Sequence, residues 1–161
     1  LTRFLWNAAL NFGDNHQIKV EFQSGLANGI PKPVSPVDEN VLDLHQAYYK
    51  YTLNTGKETK LAVIAGRQEL QYGSQRIISV REGPNNRQSF DALKVKFEQK
   101  DLTLDAFIST YVQAKTGFFN DKFLNQNNIL CFSPSLPDGL LSQKRYIKKS
   151  PQEVPNIFDL K

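Results

Sequence analysis

The sequence lacks most of the residues from which metal centres, disulfides and membrane helices are built. Among 161 residues there is one cysteine, Cys131, and there are two histidines, His16 and His45, far apart in the chain. A single cysteine cannot form an internal disulfide, and these residues offer no ligand set for zinc. No apolar run approaches the roughly 20 residues of a spanning helix, which excludes an α-helical membrane protein but not a membrane β-barrel. We therefore expect no metal and no cofactor.

Methionine is absent as well, and the chain begins at Leu1 within a stretch that already has a regular pattern. We interpret the chain as a fragment, or as one whose start lies upstream, so the absence of a signal peptide has no meaning here. The composition is 40% hydrophobic and 22% charged with a formal net charge of +4, which would suit one ordinary domain in a soluble protein.

Apolar and polar residues alternate with a period of two along much of the chain, which is typical of β-strands with two different faces. The first stretch, residues 4–12, places Phe4, Trp6 and Leu10 opposite Asn7 and Asn11. Similar alternation predicts five more strands, near residues 18–23, 42–53, 61–72, 93–98 and 102–115. Turns at 13–16, 54–60 and 99–101 alternate with long loops at 27–40 and 80–89. The fold class predicted is all-β, an antiparallel up-and-down meander that forms part of a transmembrane outer-membrane β-barrel.

The alternation stops after residue 123. We predict that residues 1–123 form a partial β-barrel of about six strands and that residues 124–161 form an irregular tail containing Pro134, Pro137, Pro151 and Pro155. A truncated or frameshifted gene would explain such a tail, which would then be non-native. The basic residues at 144–149 lack interleaved aromatic residues beyond Tyr146, so we expect a solvated segment and no nucleic acid partner.

Charge is densest between Gly66 and Asp91, where four arginines occur in a stretch that reads as strand, loop and strand. Rings of arginine and lysine give a pore a positive potential that concentrates anions. The residues that we predict to line such a pore, or to contact its substrate, are Arg67, Glu69, Arg76, Arg81, Arg87, Lys94, Lys96 and Asp105. The same pattern would arise from the solvated face of a half-buried sheet whose charges pair across strands, and periodicity alone does not separate the two.

No arrangement of residues points to catalysis. Ser74, Ser79 and Ser89 lie among basic residues without a G-x-S-x-G elbow or a Ser/His/Asp order. Asp91 and Asp105 are more simply explained as ion-pair partners than as an acid and base pair. We predict that the chain is not an enzyme.

The segment Gly66-Arg67-Gln68-Glu69-Leu70-Gln71-Tyr72-Gly73 is followed by Arg76 and by Arg87-Gln88-Ser89-Phe90-Asp91-Ala92. These motifs resemble the alginate-export family of outer-membrane porins, in which GRQ-x-L-x-YG-x-x-R precedes R-x-x-F-D-(G/A). Gln46-Ala47-Tyr48 is similar to a further strand of that family. The resemblance covers about residues 1–123, and it carries over Arg67, Glu69, Arg76, Arg87 and Asp91 as motif residues without assigning their individual roles.

The resemblance implies a bacterial outer-membrane β-barrel of many strands that passes anionic polysaccharide, or other small anionic or polar solutes, by passive diffusion. Its partners would be outer-membrane lipid and the solute. Six strands are fewer than the eight of the smallest membrane barrels, so we expect an incomplete sheet that self-associates through open edges. Asp91 shares its side with the apolar Leu93 and Val95, which predicts a bulge or a strand end above the bilayer.

The alternative is a soluble β-sheet module that binds an acidic ligand on its basic face. The two interpretations differ in the surroundings of the apolar face. A soluble module would pack it into an interior, whereas a membrane strand would leave it uncovered. The residues that decide are Phe4, Trp6, Leu10, Ile18, Val20, Leu93, Val95, Leu102 and Leu104.

Overall fold

The computed structural model of the chain describes residues 1–29, 31, 33–56, 58–73, 76, 78–135 and 145–148. Within these residues the regular structure consists of eight strands in one antiparallel sheet. No helix in this part of the chain is long and apolar enough to cross a membrane. The strands are β1 Thr2–Phe12, β2 His16–Leu26, β3 Asn40–Asn54, β4 Thr59–Gln68, β5 Phe90–Gln99, β6 Leu102–Gln113, β7 Lys122–Ser135 and β8 Arg145–Lys148.

Each strand pairs with the next strand in the chain, so the predicted all-β meander is confirmed. Short turns join β1 to β2 and β5 to β6, where Gly13 and Lys100 have positive φ values of 63° and 48°. Longer connections join β2 to β3, β4 to β5 and β6 to β7. We call them the first loop (residues 27–39), the inward loop (69–89) and the crossing loop (114–121). Strand β4 ends at Gln68, four residues before its predicted end, because the chain then turns onto one face of the sheet.

The prediction of irregular structure from residue 124 is wrong for the residues that form β7 and β8. Strand β7 pairs with the free edge of β6, and β8 pairs with β7 from Ile129 to Phe132. Within β7 the alternation is present but short: Leu130 and Phe132 are exposed, while Cys131 and Ser133 are buried. Hydrogen bonding to an existing strand compensates for the weak pattern and for Pro134. Pro137, Pro151 and Pro155 lie outside the described residues.

The apolar face of the sheet is the uncovered one. The strand registers place Leu10, Ile18, Tyr49, Ala65, Leu93, Ile108 and Leu130 in one cross-strand row. Large apolar side chains on this face remain exposed, with relative exposures of 52% for Trp6, 49% for Leu93 and 53% for Phe132. Val20, Leu102 and Leu104 are half-buried. Soluble sheets cover such a face, so this arrangement requires an apolar solvent.

The opposite face is polar and largely buried, and the inward loop packs on it. Leu70, Tyr72 and Ile78 of the loop join Phe107 and Cys131 in a small core, together with Phe90 and Ala92. Phe107 and Cys131 are each only 2% exposed. An antiparallel bridge between Tyr72 and Ile78 closes this end of the loop. The core therefore lies between a loop and β5 to β7 on the polar side of the sheet.

Strand β3 extends past the end of β4, and the crossing loop completes its free edge. The N–H of Leu42 donates to the carbonyl of Gly117 at 3.2 Å, and the N–H of Phe119 donates to the carbonyl of Leu42 at 3.0 Å. The segment pairs parallel to β3 through Phe118. Phe118 and Phe119 themselves are exposed, at 65% and 60%.

Candidate functional site

The polar face carries both signs of charge, with cations in excess. Across β1 to β6 its positions hold six Lys or Arg residues and four Asp or Glu residues. The cations are Arg3, Lys19, Lys50, Lys60, Lys94 and Lys96, and the anions are Glu21, Asp43, Glu98 and Asp105. Most of the predicted site residues turn out to be held by specific partners, and they fall into separate clusters.

Lys94 and Asp105 form the first cluster, together with a tyrosine of the inward loop. The strand register places both side chains on the polar face, and Nζ of Lys94 lies 3.2 Å from Oδ2 of Asp105. The hydroxyl of Tyr72 donates to the same oxygen at 2.7 Å. Lys94 also lies 5.3 Å from the centre of the Tyr72 ring, and that ring stacks on Phe107. The cluster thus joins β5 and β6 to the beginning of the inward loop.

Glu69 and Arg87 form the second cluster, where the inward loop leaves β4 and returns to β5. Oε1 of Glu69 lies 3.1 Å from Nε of Arg87 and 2.8 Å from Nε2 of His45. Arg87 also contacts Glu82 at 2.6 Å. Burial alone would raise the pKa of Glu69, but the hydrogen bond with His45 and the charge of Arg87 outweigh it, so its pKa lies below the usual value. Glu69 is therefore a carboxylate at neutral pH.

The same cluster contains the one described group of side chains that could offer several atoms to a metal. Ligand atoms of Glu21, His45 and Glu69 all lie within 4.8 Å of one another. Sequence spacing could not show this, because β2, β3 and the inward loop each contribute one residue. Glu21 is already engaged by Lys19 at 3.1 Å and Gln46 at 3.0 Å. These partners satisfy the carboxylates without a metal.

The remaining loop arginines and Lys96 are placed differently. Lys96 pairs with Glu98 on its own strand, towards the turn between β5 and β6. Arg76 and Arg81 are exposed in the inward loop, and Arg81 has a φ of 53°. In the described part of the chain no ion pair engages either side chain. They are consequently the members of the predicted set whose charge is least neutralised by the protein.

Arg67 pairs with Asp91 across the ends of β4 and β5. Nε and Nη2 of Arg67 donate to the two carboxylate oxygens at 2.9 and 3.2 Å, and Nη1 donates to the carbonyl of Leu44 at 3.2 Å. The register of β5 with both neighbours is continuous, so no bulge turns Asp91 away from the side of Leu93. The carboxylate of Asp91 can lie on the apolar side because Arg67 binds both of its oxygens and holds it at the loop end of the strands.

The crossing loop is fixed by a second group of carboxylates. Oδ2 of Asp43 accepts from the N–H groups of Asn120 and Asp121, and Oδ1 of Asp121 accepts from the side chain of Asn40 at 3.0 Å. Burial raises the pKa of Asp121 to about 6, opposed by the hydrogen bond from the N–H of Lys115 and reinforced by the nearby charge of Asp43. Sequence reasoning did not select these residues, since nothing in the local pattern shows that β3 and this loop meet.

The fold and the two faces define a class of protein. A sheet that exposes large apolar side chains on one side, and buries a polar, charge-lined face under a loop on the other, is the wall of a membrane β-barrel. The chain matches the alginate-export family over residues 1–135 and belongs to it. The match extends into β7, beyond the region in which the motifs are recognisable. No curated protein and no solved structure matched the chain.

Membership gives the chain its general role and location. The family consists of outer-membrane β-barrel proteins that act as transport channels in alginate export, and it is not a family of enzymes. The chain is accordingly a component of a polysaccharide-export channel and a membrane protein. The contribution of individual residues to that role rests on the geometry described above.

Proposed function

We propose that this chain forms part of the wall of a bacterial outer-membrane channel that passes anionic or polar solutes by passive diffusion. The solutes would be alginate-type polysaccharide or small molecules of similar charge. The observation that carries the proposal is that the sheet exposes its apolar face and buries its polar face, the reverse of a soluble protein. Trp6 and Leu93 are exposed on one face, and Gln46 and Asp105 are buried on the other.

The polar face supports an anion preference through the charges that the protein leaves unneutralised. Paired groups such as Lys94 and Asp105 largely cancel at a distance, because the two charges lie 3.2 Å apart. The exposed Arg76 and Arg81 lie on the loop that crosses this face. In a water-filled passage with low-dielectric walls, two such charges raise the local concentration of anions. Glu69, Arg87, Lys94 and Asp105 would then hold the inward loop, whereas Arg67 and Lys96 would stabilise the strands of the wall through their pairs with Asp91 and Glu98.

Partners follow from the same geometry. Outer-membrane lipid would cover the apolar face, and the solute would follow the polar face. In the described residues β1 and β8 are the outer strands of the sheet, each paired on one side only. Unpaired strand edges recruit further strands, so we expect self-association through these edges.

Single-channel recording tests the proposal directly. The chain, refolded in detergent, would be reconstituted in planar bilayers under a salt gradient, and the reversal potential would give the preference for anions or cations. We expect anion-preferring channels whose preference decreases in a variant with Arg76→Gln and Arg81→Gln. Lys100→Gln, which removes one exposed cation at the opposite end of the sheet, is the control and should change little. Cation preference, or the absence of conductance, would contradict the proposal.

The soluble module that binds an acidic ligand is the second candidate, and the exposed apolar face argues against it. A soluble sheet with Phe4, Trp6, Leu10 and Leu93 uncovered would expose a contiguous apolar surface to water. Sedimentation in detergent-free buffer separates the two. A monodisperse, cooperatively unfolding monomer would favour the module, whereas dependence on detergent or lipid supports the channel wall.

A further inference from the structure

The inward loop is attached at its far end by two consecutive asparagines. Nδ2 of Asn85 lies within hydrogen-bonding distance of three backbone carbonyls, those of Thr2 at 3.1 Å, Leu26 at 3.4 Å and Asp38 at 2.9 Å. These carbonyls belong to β1, to β2 and to the first loop. One side-chain amide therefore joins the inward loop to three separate parts of the chain.

Asn86 continues the attachment with its side chain and its backbone. Nδ2 of Asn86 donates to the carbonyl of Pro36 at 2.6 Å, and its N–H donates to the carbonyl of Val37 at 2.9 Å. The next N–H, that of Arg87, donates to Oε1 of Gln23 at 3.0 Å. Asn85 and Asn86 are 8% and 4% exposed. Buried amides whose donors are satisfied in this way are costly to withdraw, because water replaces their partners only after the loop has moved.

Gly25 of β2 leaves the space that the two asparagine side chains occupy, and we call it the seat of the attachment. A Cβ atom at this position would overlap Oδ1 of Asn86 and lie 3.1 Å from Nδ2 of Asn85. Any larger residue would therefore push the Asn86 side chain from its place. The glycine is needed here for close approach and not for an unusual backbone angle.

The near end of the loop is held independently, by the Tyr72 hydroxyl on Asp105 and by the core that includes Leu70 and Ile78. The loop therefore spans from β5 and β6 to β1 and β2, across β3 and the end of β4, with both ends fixed. Releasing the far end would break about five hydrogen bonds. Each bond shifts the equilibrium between the released and the attached loop by roughly fivefold. About five bonds together therefore favour the attached state by roughly a thousandfold or more.

We propose that Asn85 and Asn86, seated against Gly25, are positioning residues that fix the inward loop across the polar face as a permanent constriction and not as a lid that opens. The term constriction rests on the proposed channel function, whereas the attachment itself does not. Variation of pore width would then have to come from parts of the protein other than the far end of this loop.

Hydrogen exchange measured by mass spectrometry on the detergent-refolded chain tests the attachment whether or not a channel forms. In the wild type the amides of Asn86, Arg87 and Gln88 should be protected, since they donate to the carbonyl of Val37, to Oε1 of Gln23 and to the carbonyl of Val80. In a variant with Asn85→Ala and Asn86→Ala we expect these amides to exchange at least about tenfold faster, with β5 and β6 unchanged. Asn11→Ala is the matched control, because Asn11 accepts a bond from Gln17 on the exposed turn of β1 and β2. Unchanged exchange at 86–88 in the double variant would overturn the proposal.

Gly25→Ala provides a second arm with the native asparagines in place. We expect it to reproduce the faster exchange of Asn86→Ala, and the combination of both substitutions to add little to Asn86→Ala alone, because the overlap with Oδ1 of Asn86 disappears and only the 3.1 Å contact with Nδ2 of Asn85 remains. Additive effects would contradict the role of Gly25 as the seat. If the double asparagine variant does not refold, the single Asn86→Ala and Gly25→Ala variants decide in the same way.

Single-channel recording then tests the constriction. The wild type should show one steady conductance level, and the Asn85→Ala and Asn86→Ala variant should show a larger and noisier conductance. Wild-type channels that already switch between widely different levels, with 86–88 exchanging freely, would indicate a mobile lid and refute the proposal. If the wild type gives no channel but its loop amides are protected, the channel function fails while the attachment stands.

Discussion

Tyr72→Phe is the substitution for which the structure gives the clearest expected magnitude. It removes the hydroxyl that donates to Oδ2 of Asp105 at 2.7 Å and leaves the ring, with its stacking on Phe107, in place. Asp105 is only 9% exposed, so water does not readily replace the lost donor. A hydrogen bond to a charged group contributes about 1.5–3 kcal/mol, and the remaining ion pair with Lys94 keeps the loss near the middle of that range, at about 2 kcal/mol.

Trp6 provides the measurement. It is the only tryptophan in the chain and lies half exposed on the apolar face, so its fluorescence reports transfer between lipid and water. With a slope of about 2 kcal/mol per molar urea, a loss of about 2 kcal/mol moves the unfolding midpoint in lipid vesicles down by about 1 M.

The control is Asn11→Ala. Oδ1 of Asn11 accepts from Nε2 of Gln17 at 2.9 Å, and this contact is exposed near the turn of β1 and β2 on the polar face. Loss of that bond should cost no more than about 0.5 kcal/mol, because water can take its place. Equal shifts for the two variants, or a larger shift for Asn11→Ala, would refute the inference that the buried contact with Asp105 anchors the loop.

Three further substitutions test other parts of the structure. Asp121→Asn should stabilise the protein at pH 7 relative to pH 4 in urea unfolding: the folded pKa of about 6 lies above the ordinary value of 3.8 for this carboxyl group, so the wild type loses stability as pH rises between them. A larger benefit at pH 4 would contradict this. Leu93→Lys on the apolar face should destabilise the sheet in lipid by about 2–4 kcal/mol, whereas Thr103→Lys on the polar face should have little effect, and equal effects would argue against a lipid-facing surface. Gly66→Ala should cost about 2–3 kcal/mol in the same assay, because Gly66 has a φ of 124° and a Cβ would overlap the carbonyl of Ala47; a neutral result would refute that close approach.

The alternation of residues such as Phe4, Trp6, Lys94 and Lys96 was sufficient to predict six strands and their two faces. Period-two patterns are local and survive in any sheet that meets two different solvents. Strand β7 was missed because its alternation is distinct only from Leu130 to Ser133, and its pairing with β6 is a long-range interaction that overrides propensity.

The candidate site was predicted less completely than the fold. The density of charge identified Glu69, Arg87, Lys94 and Asp105, but not their partners. His45, Tyr72 and Asn85 act through contacts between distant segments, with Asn85 reaching Thr2 across 83 positions of the chain. Such contacts depend on the path of the inward loop over the sheet, and no local pattern encodes that path.

The unequal lengths of β3 and β4 have a consequence for the order in which the sheet can form. Strand β3 has 15 residues and β4 has 10, so the edge of β3 around Leu42 has to wait for residues 117–119. Those residues lie 75 or more positions later, after three further strands. A sheet that assembles from its first strand onwards would therefore keep this edge unsealed until β6 is in place, and a late step of assembly would occur next to its third strand.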